Sequence, residues 1–124
     1  MIDFNNAAFI KLKPTNDDAF VNNISPIFVK GESILGTYKG IRDGVVFTTH
    51  RIIAINVQGI TGKKKDLTSL PYSKIQTFSI ETAGTFDLDS ELELWFSGLG
   101  KVKLEFSSRA NVSEIAKIIS ERIL

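Results

Sequence analysis

The amino-acid sequence predicts a mainly β fold, a small antiparallel barrel or sandwich of seven strands closed by a C-terminal helix. Three observations carry this. From Ile34 onward apolar and polar residues alternate with a period of two, as half-buried strands require. Turn signals separate the runs, at Arg42-Asp43-Gly44, Gly59-Ile60-Thr61-Gly62 and Gly98-Leu99-Gly100, so that consecutive strands fold back as a meander. Past Asn111 the period becomes that of an amphipathic helix.

Taken in order, residues 1–14 read as an irregular or short extended arm, with Phe9, Ile10 and Leu12 apolar and Pro14 closing it. Thr15-Asn16-Asp17-Asp18 then offers a capping side chain and two first-turn carboxylates that suit the positive end of a helix. Ala19, Phe20, Ile24, Ile27 and Phe28 give a partial helical stripe, and Pro26 keeps the helix short. Gly31-Glu32 is a break.

Ile34 to Arg42 reads as the first strand, and Arg42-Asp43-Gly44 as a tight turn in which Gly44 takes a positive φ. Val45 to Thr49 and Arg51 to Val57 follow as strands rich in β-branched residues, meeting in a turn at Thr49-His50. Gln58 to Gly62 is a loop. Lys64 to Leu70 is the next strand, stopping before Pro71, and Lys74 to Glu81 the one after it.

Thr82 to Thr85 breaks the pattern. Leu92, Leu94 and Phe96 then share one face of a strand, with Glu91, Glu93 and Trp95 on the other. A loop at Gly98-Leu99-Gly100 would pair Phe96 with Val102, Leu94 with Leu104 and Leu92 with Phe106, and set Glu93 diagonal to Lys103. Asn111 and Glu114 form a capping box for the terminal helix, whose stripe is Val112, Ile115, Ala116, Ile119 and Ile123, widened by Ile118. Lys117 and Glu121 can pair on its wet face.

Composition narrows the function classes. At 124 residues the chain suits one domain, since domains run roughly 100–200 residues. Fifteen basic residues against fourteen acidic leave no global pull toward nucleic acid or an anionic membrane, so any anion must be held by local clustering. With no cysteine, disulfides, thiolate metal sites and cysteine catalysis are excluded. The N-terminus lacks the basic start and apolar run of a signal peptide, and no apolar run approaches the ~20 residues that span a bilayer. A cytoplasmic protein is expected.

The order of elements resembles the pleckstrin-homology-like barrel, four strands then three, closed by a helix. Several motifs are similar to those of the bacterial PH domain family: Gly31-Glu32-Ser33-Ile34-Leu35, Arg42-Asp43-Gly44, Phe47-Thr48-Thr49-His50-Arg51-Ile52-Ile53, Gln58 to Lys64, and Glu81 to Leu92, with Pro71-Tyr72 and Trp95 in the expected places. The resemblance covers roughly Gly31 to the C-terminus. It implies a PH-like domain over residues 31–124, with residues 1–30 as an arm and short helix packed on it. It implies no enzymatic activity and no cofactor, and a ring-like homo-oligomer as the expected assembly.

Candidate sites follow from local patterns. Gly59-Ile60-Thr61-Gly62-Lys63-Lys64-Lys65 first suggests a phosphate grip, yet a P-loop needs four residues between its glycines, a Ser or Thr after the lysine and a following helix. A GXXG nucleic-acid clamp needs helices on both sides, and strands flank this loop, so no nucleic acid is expected. The stretch reads as a turn whose lysines stay solvated and guard a sheet edge, with an anion or partner contact as the alternative. The PH-like plan would gather Arg42, Lys63, Lys64, Lys65 and Lys101 at one end of the barrel. The sparse basic pattern of its first hairpin argues against inositide binding and leaves weak attraction to anionic lipid headgroups.

Asp87, Asp89, Glu91 and Glu93 alternate, which in an extended chain puts four carboxylates on one face. A calcium loop starting at Asp87 would need Gly and Glu where Leu92 and Gly98 stand, so no metal is expected. The row reads as a solvated face balanced by Lys101 and Lys103, or, with Trp95, as a subunit interface meeting Lys63 to Lys65 of a neighbour head to tail. His50, the one histidine, reads as a turn residue, because no nucleophile with an orienting partner is recognisable beside it. The expected function is that of a non-enzymatic interaction module acting through protein contacts and self-assembly, with peripheral binding of anionic headgroups as the alternative.

Overall fold

The computed structural model describes residues 1–6 and 9–124. Eight strands form one sheet: β1 (Phe9–Pro14), β2 (Ile34–Lys39), β3 (Gly44–Thr48), β4 (Arg51–Gln58), β5 (Lys64–Pro71), β6 (Ile75–Glu81), β7 (Ser90–Phe96) and β8 (Gly100–Phe106), in the order β5-β4-β3-β2-β1-β8-β7-β6. Between β1 and β2 the chain makes a 3-10 turn (Asp17–Phe20), a one-turn helix α1 (Val21–Ile24) and a second 3-10 turn over Ser25–Ile27. The C-terminal helix is α2 (Val112–Ile123). The expected four-plus-three arrangement and both helices are present, with one strand more than expected.

That strand is β1, within the segment read as an arm. It runs antiparallel to β2 (Lys13 with Lys39) and parallel to β8 (Phe9 with Leu104, Leu12 with Phe106), and so joins the two groups of strands. Its register slips between Phe9 and Leu12, where Lys11 takes a φ of 52°. This bulge lets residues three apart, Phe9 and Leu12, both turn inward. Strict alternation is broken, and with it the strand signal.

Three local expectations need correction. The β2–β3 turn starts earlier, at Gly40, whose amide donates to the Asp43 carbonyl at 2.8 Å. Gly44 is not among the positive-φ glycines; it lies buried in β3, where a Cβ would come within 2.2 Å of the Phe20 ring. Its role is close approach, not backbone freedom. In the β7–β8 hairpin Leu94 faces Val102, Leu92 faces Leu104 and Ser90 faces Phe106, two positions from the expected pairing. Gly98 (φ 85°) and Gly100 (φ 95°) close the loop over Ser97 to Leu99, and Gly100 already pairs with Phe96. An even displacement keeps every side chain on its face. Glu93 is therefore directly opposite Lys103.

The core explains the apolar run at Ile52 to Ile55. One cluster fills the inside of the sheet, with Phe9, Leu12, Phe47, Ile52, Leu104 and Phe106, and α2 covers it with Ile115 and Ile119. A second cluster packs Phe20 and Ile24 of the N-terminal helical segment on Val46, Ile53 and Ile55. With both faces covered, β3 and β4 read as continuous hydrophobic runs. The Asn111 Oδ1 accepts from the Glu114 amide at 3.2 Å, as the capping pattern predicts. Glu121 lies 3.9 Å from Arg122 rather than pairing with Lys117. No helix among the described residues is long and apolar enough to cross a membrane.

Candidate functional site

The basic residues fall into two places. The Arg42 guanidinium, in the β2–β3 turn, donates to the Gly59 carbonyl of the β4–β5 loop, and Gly62 lies beside the same guanidinium. Gly59 (φ 75°) and Gly62 (φ 69°) both occupy the left-handed region that bends this loop. The Lys65 ammonium folds back on the Gly62 carbonyl at 3.0 Å, while Lys63 and Lys64 are exposed. Asp43, the one acidic residue of the β2–β3 turn, faces inward and accepts from the Val57 amide (2.8 Å) and the Asn56 side chain (3.2 Å).

Lys101 is elsewhere. It stands opposite Trp95 on β8, 3.7 Å from Glu93. A 240 Å³ cavity lined by Met1 to Asn5, Leu99 and Lys101 places the N-terminal residues beside it. Met1 in turn reaches Asp66 of β5 through its amino group at 3.0 Å, and the buried Ile2 donates its amide to Thr68 Oγ1. The N-terminal segment thus intervenes between Lys101 and the lysines of the β4–β5 loop.

The four carboxylates do not form one extended row. The Asp87 carboxylate accepts from the Asp89 amide in a turn ahead of β7. Asp89 lies 3.5 Å from Lys11; burial, and then the neighbouring Asp89 carboxylate, push the Glu105 carboxyl upward. Glu91 pairs with Lys103 at 3.2 Å, which pushes the lysine upward. Glu93 pairs with Lys101. Both strand carboxylates are therefore balanced within the chain, by diagonal neighbours. Trp95 stands between Thr77 of β6 and Lys101 of β8 and is 47% exposed. A 160 Å³ depression beside it is lined by Thr77, Ser79, Glu93 and Lys101.

Two features were not recognised from sequence. Glu32, read as part of a break, has a fully buried side chain gripped by Arg51: Nε donates to Oε2 at 2.9 Å and Nη2 to Oε1 at 2.8 Å. Thr48 Oγ1, donating to Oε2 at 2.7 Å, and the Val29 amide, donating to Oε1 at 3.1 Å, complete the donor set around the carboxylate. Burial by itself would raise the Glu32 carboxyl; the hydrogen bonds from Arg51, Thr48 and Val29 outweigh it and hold the group at about 2. Arg51 also donates to the Ile27 carbonyl and Ser69 Oγ, so the node ties the N-terminal segment to β3, β4 and β5. The Glu32 oxygens are fully engaged, which fits a structural role. The second feature is a pair of exposed isoleucines, Ile41 and Ile60, in the two loops that Arg42 joins. An apolar residue beside turn glycines was the available signal for each.

His50 sits in the exposed bend after β3, with Nδ1 2.7 Å from Thr49 Oγ1. That hydroxyl already accepts from the Ser33 amide, and the cavities described are lined by neither residue. Among the described residues no group of three or more His, Asp or Glu side chains is arranged to hold a metal ion.

Comparison with known proteins agrees with this architecture. The family model described as Bacterial PH domain matches residues 3–123. The chain is 42% identical to Uncharacterized protein YjqA of Bacillus subtilis (strain 168) over 104 residues, 82% of this chain and 83% of that one. It is 33% identical to YozO of the same organism over 100 residues, 81% of this chain and 86% of that one. The crystal structure of a DUF1696 family protein with a pleckstrin-homology domain from Shewanella loihica PV-4 superposes with a TM-score of 0.82 at 40% identity, covering 93% of this chain and 99% of that chain. A pleckstrin homology domain from Shewanella amazonensis SB2B gives 0.69 at 40% identity, over 90% and 91% of the two chains. With eight strands in this order, α2 closing the core and these matches along nearly its whole length, the chain is a member of the bacterial PH domain family.

Proposed function

We propose that this PH-like domain is a non-catalytic interaction module that works through protein contacts, first of all with copies of itself, and that the outer face of β6, β7 and β8 is the contact surface. The observation that carries this is Trp95. A large aromatic side chain stands half exposed near the end of β7, one strand in from the sheet edge, where its neighbours Glu93 and Lys101 neutralise each other. Aromatic anchors inside a polar rim are the usual centre of protein interfaces.

Internal pairing of Glu91 and Glu93 leaves Trp95, rather than net charge, as the source of affinity. A head-to-tail arrangement of such patches closes into a ring when the rotation between copies fits. Tryptophan fluorescence tests the contact, because Trp95 is the sole tryptophan of the chain. On raising protein concentration the emission should shift to the blue as the indole leaves water. Emission that stays at one wavelength while the mass increases would place the contact elsewhere.

A further inference from the structure

A cavity of 570 Å³ opens where the β6–β7 loop, the first residue of β7 and the turn into α2 meet. It shares no residue with the depression beside Trp95, and neither Arg42 nor Lys63 to Lys65 line it. Ser90 forms part of its lining. The inward face of β7 is Ser90, Leu92, Leu94 and Phe96, so Ser90 is the one polar residue on that face. It is only 7% exposed. Among the described residues no fully buried polar side-chain atom lacks a partner. The Ser90 oxygen, which no neighbour engages, is therefore the part of this residue left open to the cavity.

The opposite wall is the N-terminus of α2. The Asn111 Oδ1 takes the Glu114 amide at 3.2 Å, and the Asn111 carbonyl takes the Ile115 amide at 3.3 Å. The Val112 and Ser113 amides lie ahead of the first intrahelical acceptor and carry the positive end of the dipole. Arg109 stands two residues before the cap, with no carboxylate within 4.0 Å of its guanidinium among the described residues. Its turn is pinned by Ser107, whose Oγ accepts from the Arg109 amide and whose carbonyl accepts from the Ala110 amide. No carboxylate lines the cavity: Asp87 is bonded to the Asp89 amide, and Asp89 lies against Lys11.

We propose that this cavity binds a small soluble phosphate monoester. Arg109 and the Val112 and Ser113 amides take the phosphoryl oxygens, and the Ser90 hydroxyl meets a polar atom of the ligand's body. A helix N-terminus suits such an anion, but it is Ser90 that points to an occupant. A buried hydroxyl without a partner is destabilising, and alanine at this position would be free of that cost. Donors converging from a guanidinium and a helix end suit a tetrahedral group with three free oxygens better than a planar carboxylate. The volume falls within the roughly 300–1,000 Å³ of small-molecule sites. One cation in a concavity fits a single soluble ligand, whereas a membrane surface is held by clusters of them. No aromatic side chain lines the cavity for a nucleic-acid base to stack on. The inference uses none of the residues of the Trp95 reading.

Titration of the isotope-labelled full chain with glycerophosphate at constant ionic strength tests it through amide chemical shifts. Saturable shifts are expected at Ser90, Val112 and Ser113, with none at Lys63 to Lys65. Glycerol alone should move none of them. Arg109→Gln, at an exposed position, should weaken binding on the order of tenfold. Ser90→Ala should weaken it about fivefold while the melting temperature holds or rises. The absence of saturable shifts overturns the proposal. So do shifts centred on Lys63 to Lys65, shifts that glycerol alone reproduces, or an affinity that Arg109→Gln retains in full. A Ser90→Ala variant that melts earlier yet binds as wild type would make Ser90 a purely structural residue and overturn it as well.

Discussion

Arg51 grips Glu32 through two parallel hydrogen bonds, 2.9 Å from Nε to Oε2 and 2.8 Å from Nη2 to Oε1, with the carboxylate fully removed from solvent. Nineteen positions separate the two in sequence. Glu32→Ala would leave a largely buried guanidinium without its counter-charge, and the expected cost is about 3–5 kcal/mol. Urea unfolding at neutral pH measures it; a loss within about 0.5 kcal/mol would show that the pair is of surface strength.

The same pair predicts an acid transition. Glu32 is held at about 2 in the folded chain against an ordinary value of 4.5. The unfolded chain therefore takes up this proton first as pH falls, so the contribution is present above about 4.5 and disappears on the way down to about 2. It amounts to on the order of 3 kcal/mol. In Glu32→Gln the slope of stability against pH over that window should flatten. Asp66, held low by the Thr68 hydroxyl and the Met1 amino group, supplies a weaker slope of the same sign that the variant keeps.

Gly44 and Phe20 form a second coupled pair. The Cβ of Gly44→Ala would stand 2.2 Å from a Phe20 ring carbon, and the ring is buried, so it must shift. Alanine has no conformational penalty here, because φ is not positive, and it restricts the unfolded chain by about 0.4–1 kcal/mol in favour of folding. The steric cost of about 1–3 kcal/mol should exceed that gain. In a Phe20→Ala background the sign should reverse, with Gly44→Ala neutral or stabilising. Additive effects in the double-mutant cycle would disprove the contact.

Tyr72 fastens the β3–β4 turn from below. Its hydroxyl donates to the Thr48 carbonyl at 2.7 Å, and burial pushes the phenol above its ordinary value, with Arg122 opposing. Arg122 lies over the ring at 5.8 Å and donates to the Thr49 carbonyl, so α2 holds the same turn. Tyr72→Phe keeps the ring and should cost about 1–2 kcal/mol. Faster amide exchange near Thr48 and Thr49 would accompany it. Unchanged exchange there would mean that the Tyr72 hydroxyl does not hold the turn.

Much of this fold is legible from residues because local and global preferences agree. Leu92, Leu94 and Phe96 show their face by alternation, and Asn111 with Glu114 marks the start of α2. What escaped reading depends on contacts between distant residues. Lys11 at positive φ hides β1 by breaking its period, and Gly44 looks like a turn glycine until Phe20 is seen above it. Glu32 reads as part of a break until Arg51 closes on it. The candidate surfaces were less legible still. Spacing placed Trp95 outward, yet the internal pairing of Glu93 with Lys101 and the turned Asp87 follow from hairpin register and loop geometry. That Ile41 and Ile60 stand in joined loops is seen only through Arg42.

The central claim is that the chain functions through contacts made at Trp95, and sedimentation velocity on wild type and Trp95→Ser over a range of concentrations tests it most directly. Wild type should sediment as a defined multiple of the 13.7 kDa chain. The serine variant, which alters a half-exposed position, should keep its melting temperature and sediment as a single chain. A monomeric wild type at every concentration, or a variant whose assembly matches wild type, would contradict the account.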